Sequence, residues 1–109
     1  MKINILGTEY NYRYETRAEL DMPNTLDGEC SYQDKKIRIV KDTYETHEPE
    51  LRKPKNQQDY LNLVKRHEII HAFIYEAGIS HKYNDELLVD WLAVMLPKML
   101  DACKVVDAI

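Results

Sequence analysis

The chain has 109 residues, a formal net charge of −4, and 44% hydrophobic and 31% charged residues, the proportions of one globular domain spanning 1–109. The acidic balance argues against general nucleic-acid binding, and no apolar run reaches the ~18 residues a membrane-spanning helix needs. Met1 to Gly7 holds too few apolar residues before Glu9 for a signal peptide. The protein is therefore expected to stay in the cytoplasm, with Cys30 and Cys103 as reduced thiols rather than a disulfide.

The first 40 residues read as strands. Lys2 to Leu6 is short and apolar, with a turn expected at Gly7-Thr8. Tyr10, Tyr12 and Tyr14 alternate with Asn11 and Arg13, the period of a strand with one aromatic face. Met22-Pro23-Asn24 and Asp27-Gly28 interrupt the chain. Glu29 to Tyr32 and Lys36 to Val40 then form two further strands around Gln33-Asp34-Lys35, with Ile37 and Ile39 on one face. Residues 41–56 are polar, carry Pro49 and Pro54, and read as a loop; its basic cluster Arg52-Lys53-Pro54-Lys55 and His47 read as solvated surface.

Beyond the loop the period becomes helical. Asn56 or Asp59 can cap a helix whose breaker-free run is Tyr60 to Ala77, with Leu63, Ile70, Phe73, Ile74 and Ala77 as its apolar face and Gly78 ending it. A second helix is expected to begin at an Asn84 cap. Leu87, Leu88, Trp91, Leu92, Met95, Leu96, Met99 and Leu100 give it a broad apolar face, and Pro97 is expected to kink or split it.

The first helix contains His67-Glu68-Ile69-Ile70-His71, an H-E-x-x-H motif. Side chains four apart leave the same helix face, so His67 and His71 can share one Zn2+. Glu68 projects about 100° away, beside the ion rather than on it, where a general base for a zinc-activated water belongs. A third ligand must come from elsewhere. Glu86 and Asp90 are again four apart, and the simplest division puts Glu86 on the metal and Asp90 behind a ligand histidine; Asp90 or His81 are the alternative third ligands. Ala77 stands where the metzincin pattern would place its third histidine. Tyr83, His81 and Tyr75 are the candidate oxyanion donors by nearness in sequence.

His67-Glu68-x-x-His71 followed by Glu86-x-x-x-Asp90 resembles the gluzincin class of zinc metallopeptidases. Over roughly residues 59–97 the chain is similar to small phage- and prophage-encoded proteins near the ImmA/IrrE-type peptidases, including the Trp91-to-Pro97 run that ends the ligand helix. The resemblance implies an α+β, zincin-like fold: an N-terminal antiparallel or mixed sheet of three to four strands, packed on the HExxH helix and closed by the C-terminal helix. It implies a zinc peptidase acting on a cytosolic protein or peptide, in the host cytoplasm if phage-encoded. It also implies a substrate strand laid along a sheet edge, expected here at Lys36 to Val40. The second reading is a non-catalytic zinc protein that binds a host or phage partner; the third is an accessory module whose motif is accidental.

Overall fold

The computed structural model describes residues 1–43 and 56–109; His47, Pro49, Pro54 and the basic cluster 52–55 lie outside the described residues. The elements are β1 (Lys2–Ile5), β2 (Thr8–Glu15), α1 (Arg17–Leu20), β3 (Gly28–Ser31), β4 (Lys36–Val40), α2 (Gln57–Glu76), α3 (Ser80–Tyr83) and α4 (Glu86–Val105). The fold is α+β, as expected, with a mixed four-stranded sheet in the order β1-β2-β4-β3. The tight turn between β1 and β2 is Leu6-Gly7, one residue earlier than the sequence suggested. Both residues have positive φ, +51° and +91°, and the Asn4 side chain accepts from Gly7 N–H at 2.8 Å.

β2 and β4 pair in parallel, Tyr12 opposite Ile37 and Tyr14 opposite Ile39, while β3 pairs antiparallel with β4. This order corrects the expected edge. Lys36–Val40 is an interior strand because the crossover from β2 delivers it beside β2, which leaves β3 outermost. One face of the sheet packs Ile5, Tyr10, Ile37 and Ile39 against Ala72 of α2. On the second cluster Val40 meets Leu20 and Met22, which α1 and the turn after it supply. Thr16 caps α1 through a reciprocal pair with Glu19.

α2 is capped by Asn56, whose side chain accepts from Asp59 N–H at 2.9 Å. Its buried residues are Tyr60, Leu61, Glu68, His71, Ala72 and Ile74. The expected apolar face is thus displaced: Phe73 and Ala77 are exposed, and the stripe against the sheet carries Glu68 and His71 instead. α4 contacts α2 through Arg66–Ala93, His67–Asp90 and His71–Glu86, pairs that run in opposite directions, so the helices are antiparallel.

Pro97 does not split α4, which stays helical to Val105. Proline has no N–H, so the carbonyl of Ala93 loses its helical donor. Arg66 replaces it: Nε donates to Ala93 O at 2.6 Å from the neighbouring helix. Truncating Arg66 to Ala should cost about 1–3 kcal/mol, the penalty of a buried carbonyl left without a donor. In a Pro97→Ala background the restored N–H takes over, and the cost should shrink by about 1 kcal/mol. Urea unfolding of the four proteins measures this coupling; equal costs in both backgrounds would refute it.

Candidate metal centre

β3 is fastened along α2 at both ends. At the first end Arg17 donates to the carbonyls of Pro23 and Leu26 at 2.5 Å each and pairs with Asp27 at 2.7 Å, and Tyr60 of α2 donates to the same Asp27. At the other end Tyr32 stacks on Tyr75 with centroids 4.4 Å apart and planes 5° off parallel. Lys35 reaches Glu76 at 3.0 Å and lies 4.9 Å from the Tyr75 centroid. Between these anchors Gly28 presses against α2. A Cβ there would stand 2.7 Å from Val64 Cγ1 and 3.1 Å from Glu68 Cγ and Oε2, so only glycine allows the strand this close.

His67 and His71 emerge from the middle of that span, and Glu86 from the first turn of α4. His67 Nε2 and His71 Nε2 are 3.1 Å apart. Glu86 Oε2 lies 3.1 Å from His67 Nε2, and Glu86 Oε1 lies 2.9 Å from His71 Nε2. Three donors held ~2.0–2.2 Å from one tetrahedral cation stand about 3.3–3.6 Å apart, so the triangle, at 2.9–3.1 Å, needs to widen by only a few tenths of an ångström. Among the described residues these three are the cluster that could hold a metal ion.

The outer ring nitrogens explain the orientation. His67 Nδ1 is 2.8 Å from Asp90 Oδ1, and His71 Nδ1 is 2.5 Å from Asn84 Oδ1. Both partners are acceptors, so in each neutral ring Nδ1 carries the proton and Nε2 presents a lone pair, an assignment that pairs both Nδ1 atoms. Two lone pairs and a carboxylate then converge. They repel one another unless a cation, or extra protons, sit among them, and two imidazoles with one carboxylate suit a divalent transition metal. The residues present fit a divalent ion of that class, of which zinc is one.

Glu68 packs toward Gly28 of β3 and is 8% exposed. Burial, with Glu86, Glu29 and Asp90 nearby, pushes its carboxyl up to about 8. A cation beside it would oppose that shift. Two connected clefts meet at this point. One, about 360 Å³, runs past Leu26, Asp27, Tyr60, Leu63 and Val64; the other, about 380 Å³, runs past Glu29, Cys30 and Tyr32. Both are walled by His67, Glu68, Glu86 and Gly28. The Glu86 side chain is 71% exposed, so the cluster opens to the clefts.

The structure therefore brings together His67, His71, Glu86, Glu68 and Asp90. His81 and Tyr83 do not join them: both are exposed on α3, and neither lines either cleft. Tyr75 is engaged by Tyr32. Asn84 is not the helix cap; Asp85 is, accepting from Leu88 N–H at 2.9 Å. Asn84 holds His71 instead, and its amide donates to Tyr32 Oη at 2.7 Å and Ser80 Oγ at 3.2 Å. Sequence reasoning missed Asn84 and Tyr32; the one available signal was that Asn84 stands next to an equally good cap, so only one of the two could be needed. Cys30 and Cys103 are unbridged. No helix among the described residues is long and apolar enough to cross a membrane. No protein-family model, curated protein or solved structure matches the chain.

Proposed function

We propose that this chain is a zinc-dependent peptidase. The observation that carries the reading is the convergence of two tautomer-fixed histidines and an exposed carboxylate beside a buried glutamate, in an open cleft flanked by a sheet edge. His67, His71 and Glu86 would hold the ion. Zinc bound there supplies Lewis-acid polarisation of water and of a peptide carbonyl. Glu68 accepts one proton from the attacking water at a carboxylate oxygen. As the carbon–nitrogen bond breaks, it delivers that proton to the leaving amine. A new carbon–oxygen bond forms, and the products are an amine and a carboxylic acid, whose own proton, the second of the water's two, passes to the amine or to solvent to leave a carboxylate. Asp90 and Asn84 keep the two imidazoles in the tautomer this needs. The cleft's open side leaves room for substrate, which favours catalysis over a closed structural site.

Metal exchange tests the proposal. Protein loaded with one zinc per chain should cleave reduced, alkylated casein. A chelator should abolish cleavage, and added zinc should restore it. Zinc-loaded protein that leaves casein intact would instead favour a non-catalytic zinc protein.

A further inference from the structure

Peptide hydrolysis places negative charge on the carbonyl oxygen, and a second donor besides the metal is needed to meet it. The sequence neighbours of the ligands do not supply one, since His81 and Tyr83 stand outside the clefts. We infer that Tyr32, the residue after the edge strand β3, is that donor, an assignment that rests on the peptidase reading.

Three observations converge on its hydroxyl. Tyr32 lines the same cleft as His67, Glu68, His71 and Glu86. Its oxygen is fixed, because the Asn84 amide donates to it at 2.7 Å while the other end of that amide holds His71 at 2.5 Å. The ring is fixed as well, by the parallel stack on Tyr75. Since the oxygen already accepts from Asn84, its own O–H points away from that amide and has no acceptor among the described residues. A hydroxyl with a pinned oxygen and an unused proton is a preorganised donor. Burial raises its pKa, so it keeps the proton through the neutral range. Asn84 thus serves the metal and the donor at once, as a positioning residue that ties the end of β3 to the ligand His71. During the reaction Tyr32 transfers no proton. It hydrogen-bonds to the oxyanion as the water oxygen adds to carbon, and releases it as the carbon–nitrogen bond breaks.

The test compares wild type with Tyr32→Phe, which keeps the stacked ring and removes only the hydroxyl. Zinc-loaded proteins are assayed on reduced, alkylated casein by counting new amino termini. The variant should lose about 10²–10³-fold in kcat, the cost of one oxyanion donor, with KM within about threefold. Two readouts separate this from a structural role. Zinc affinity by chelator competition should be unchanged, and inorganic phosphate, a tetrahedral oxyanion titrated by calorimetry, should bind the variant about tenfold more weakly. A kcat within threefold of wild type overturns the inference while leaving the peptidase reading in place. A fall in zinc affinity matching the fall in rate overturns it in favour of a structural role. Zinc-loaded wild type that leaves casein intact overturns both.

Discussion

Glu68→Gln is expected to retain one zinc per chain and to lower casein hydrolysis by about 10²–10⁴-fold, the contribution of a positioned general base. The amide matches the carboxylate in shape. That matters here, because Glu68 is 8% exposed and its Cγ and Oε2 stand 3.1 Å from where a Cβ on Gly28 would sit; a larger or differently branched side chain would push β3 off α2 and confuse folding with catalysis. Glu68 is not in the ligand cluster, so elemental analysis should show unchanged zinc. A variant that loses zinc, or one that cleaves casein at the wild-type rate, would remove Glu68 from the role. The same substitution has a second signature in metal-free protein. The folded-state pKa of about 8 exceeds the ordinary carboxyl value, so burial disfavours the charged form. The associated stability is fully present below the unfolded-state pKa and is lost as pH rises toward 8. Metal-free wild type should therefore weaken between about pH 4.5 and 8, by an amount on the order of a few kcal/mol. Glu68→Gln should lack this loss, and urea unfolding at pH 5 and pH 9 compares them.

The histidine and carboxylate pairs were legible because a four-residue spacing on a helix dictates a shared face whatever surrounds it. His67 with His71, and Glu86 with Asp90, needed only the helical period. The strands were legible for the same reason in period two, and Ile37 and Ile39 do share the core face. The apolar face of α2 was misplaced because that argument assumes buried positions are apolar. Here Glu68 and His71 occupy the sheet-facing stripe, while Phe73 sits outward with 41% exposure. The short helices α1 and α3 have four residues each, too few for a period to register. The edge strand was misassigned because strand order is a non-local property. Whether β4 lies inside or outside β3 depends on where the parallel crossover docks, and Lys36–Val40 carries no mark of it. Tyr32 was invisible for a related reason. It lies 52 residues from Asn84 in sequence, and nothing near it points to the histidine pair.

Zinc itself should be the largest single contributor to this fold's stability. The two Nε2 lone pairs, 3.1 Å apart, and the Glu86 carboxylate, at 3.1 and 2.9 Å, repel one another in metal-free neutral protein. Binding converts that repulsion into ligation, and an ion that binds only the folded chain stabilises it by mass action. At free zinc about 1,000 times the dissociation constant the gain is about 4 kcal/mol. For a domain of this size each kcal/mol moves the melting temperature by roughly 4–8 °C, so a rise above ~15 °C is expected in thermal unfolding with and without zinc. The ligands should differ in how they fail. His71 is nearly buried and held by Asn84, so His71→Ala should abolish the zinc-dependent shift. Glu86 is 71% exposed, and water can take its place, so Glu86→Ala should keep two imidazoles on the ion and show a smaller shift at higher zinc. Removing Asp90's carboxylate tests the tautomer argument separately: with Asp90→Asn the His67 Nδ1 proton loses a charged acceptor, and zinc affinity should drop about 10–100-fold although no ligand has changed. If zinc shifts the melting temperature equally in His71→Ala and wild type, the metal sits elsewhere and the convergence of these three side chains is a protonated cluster instead.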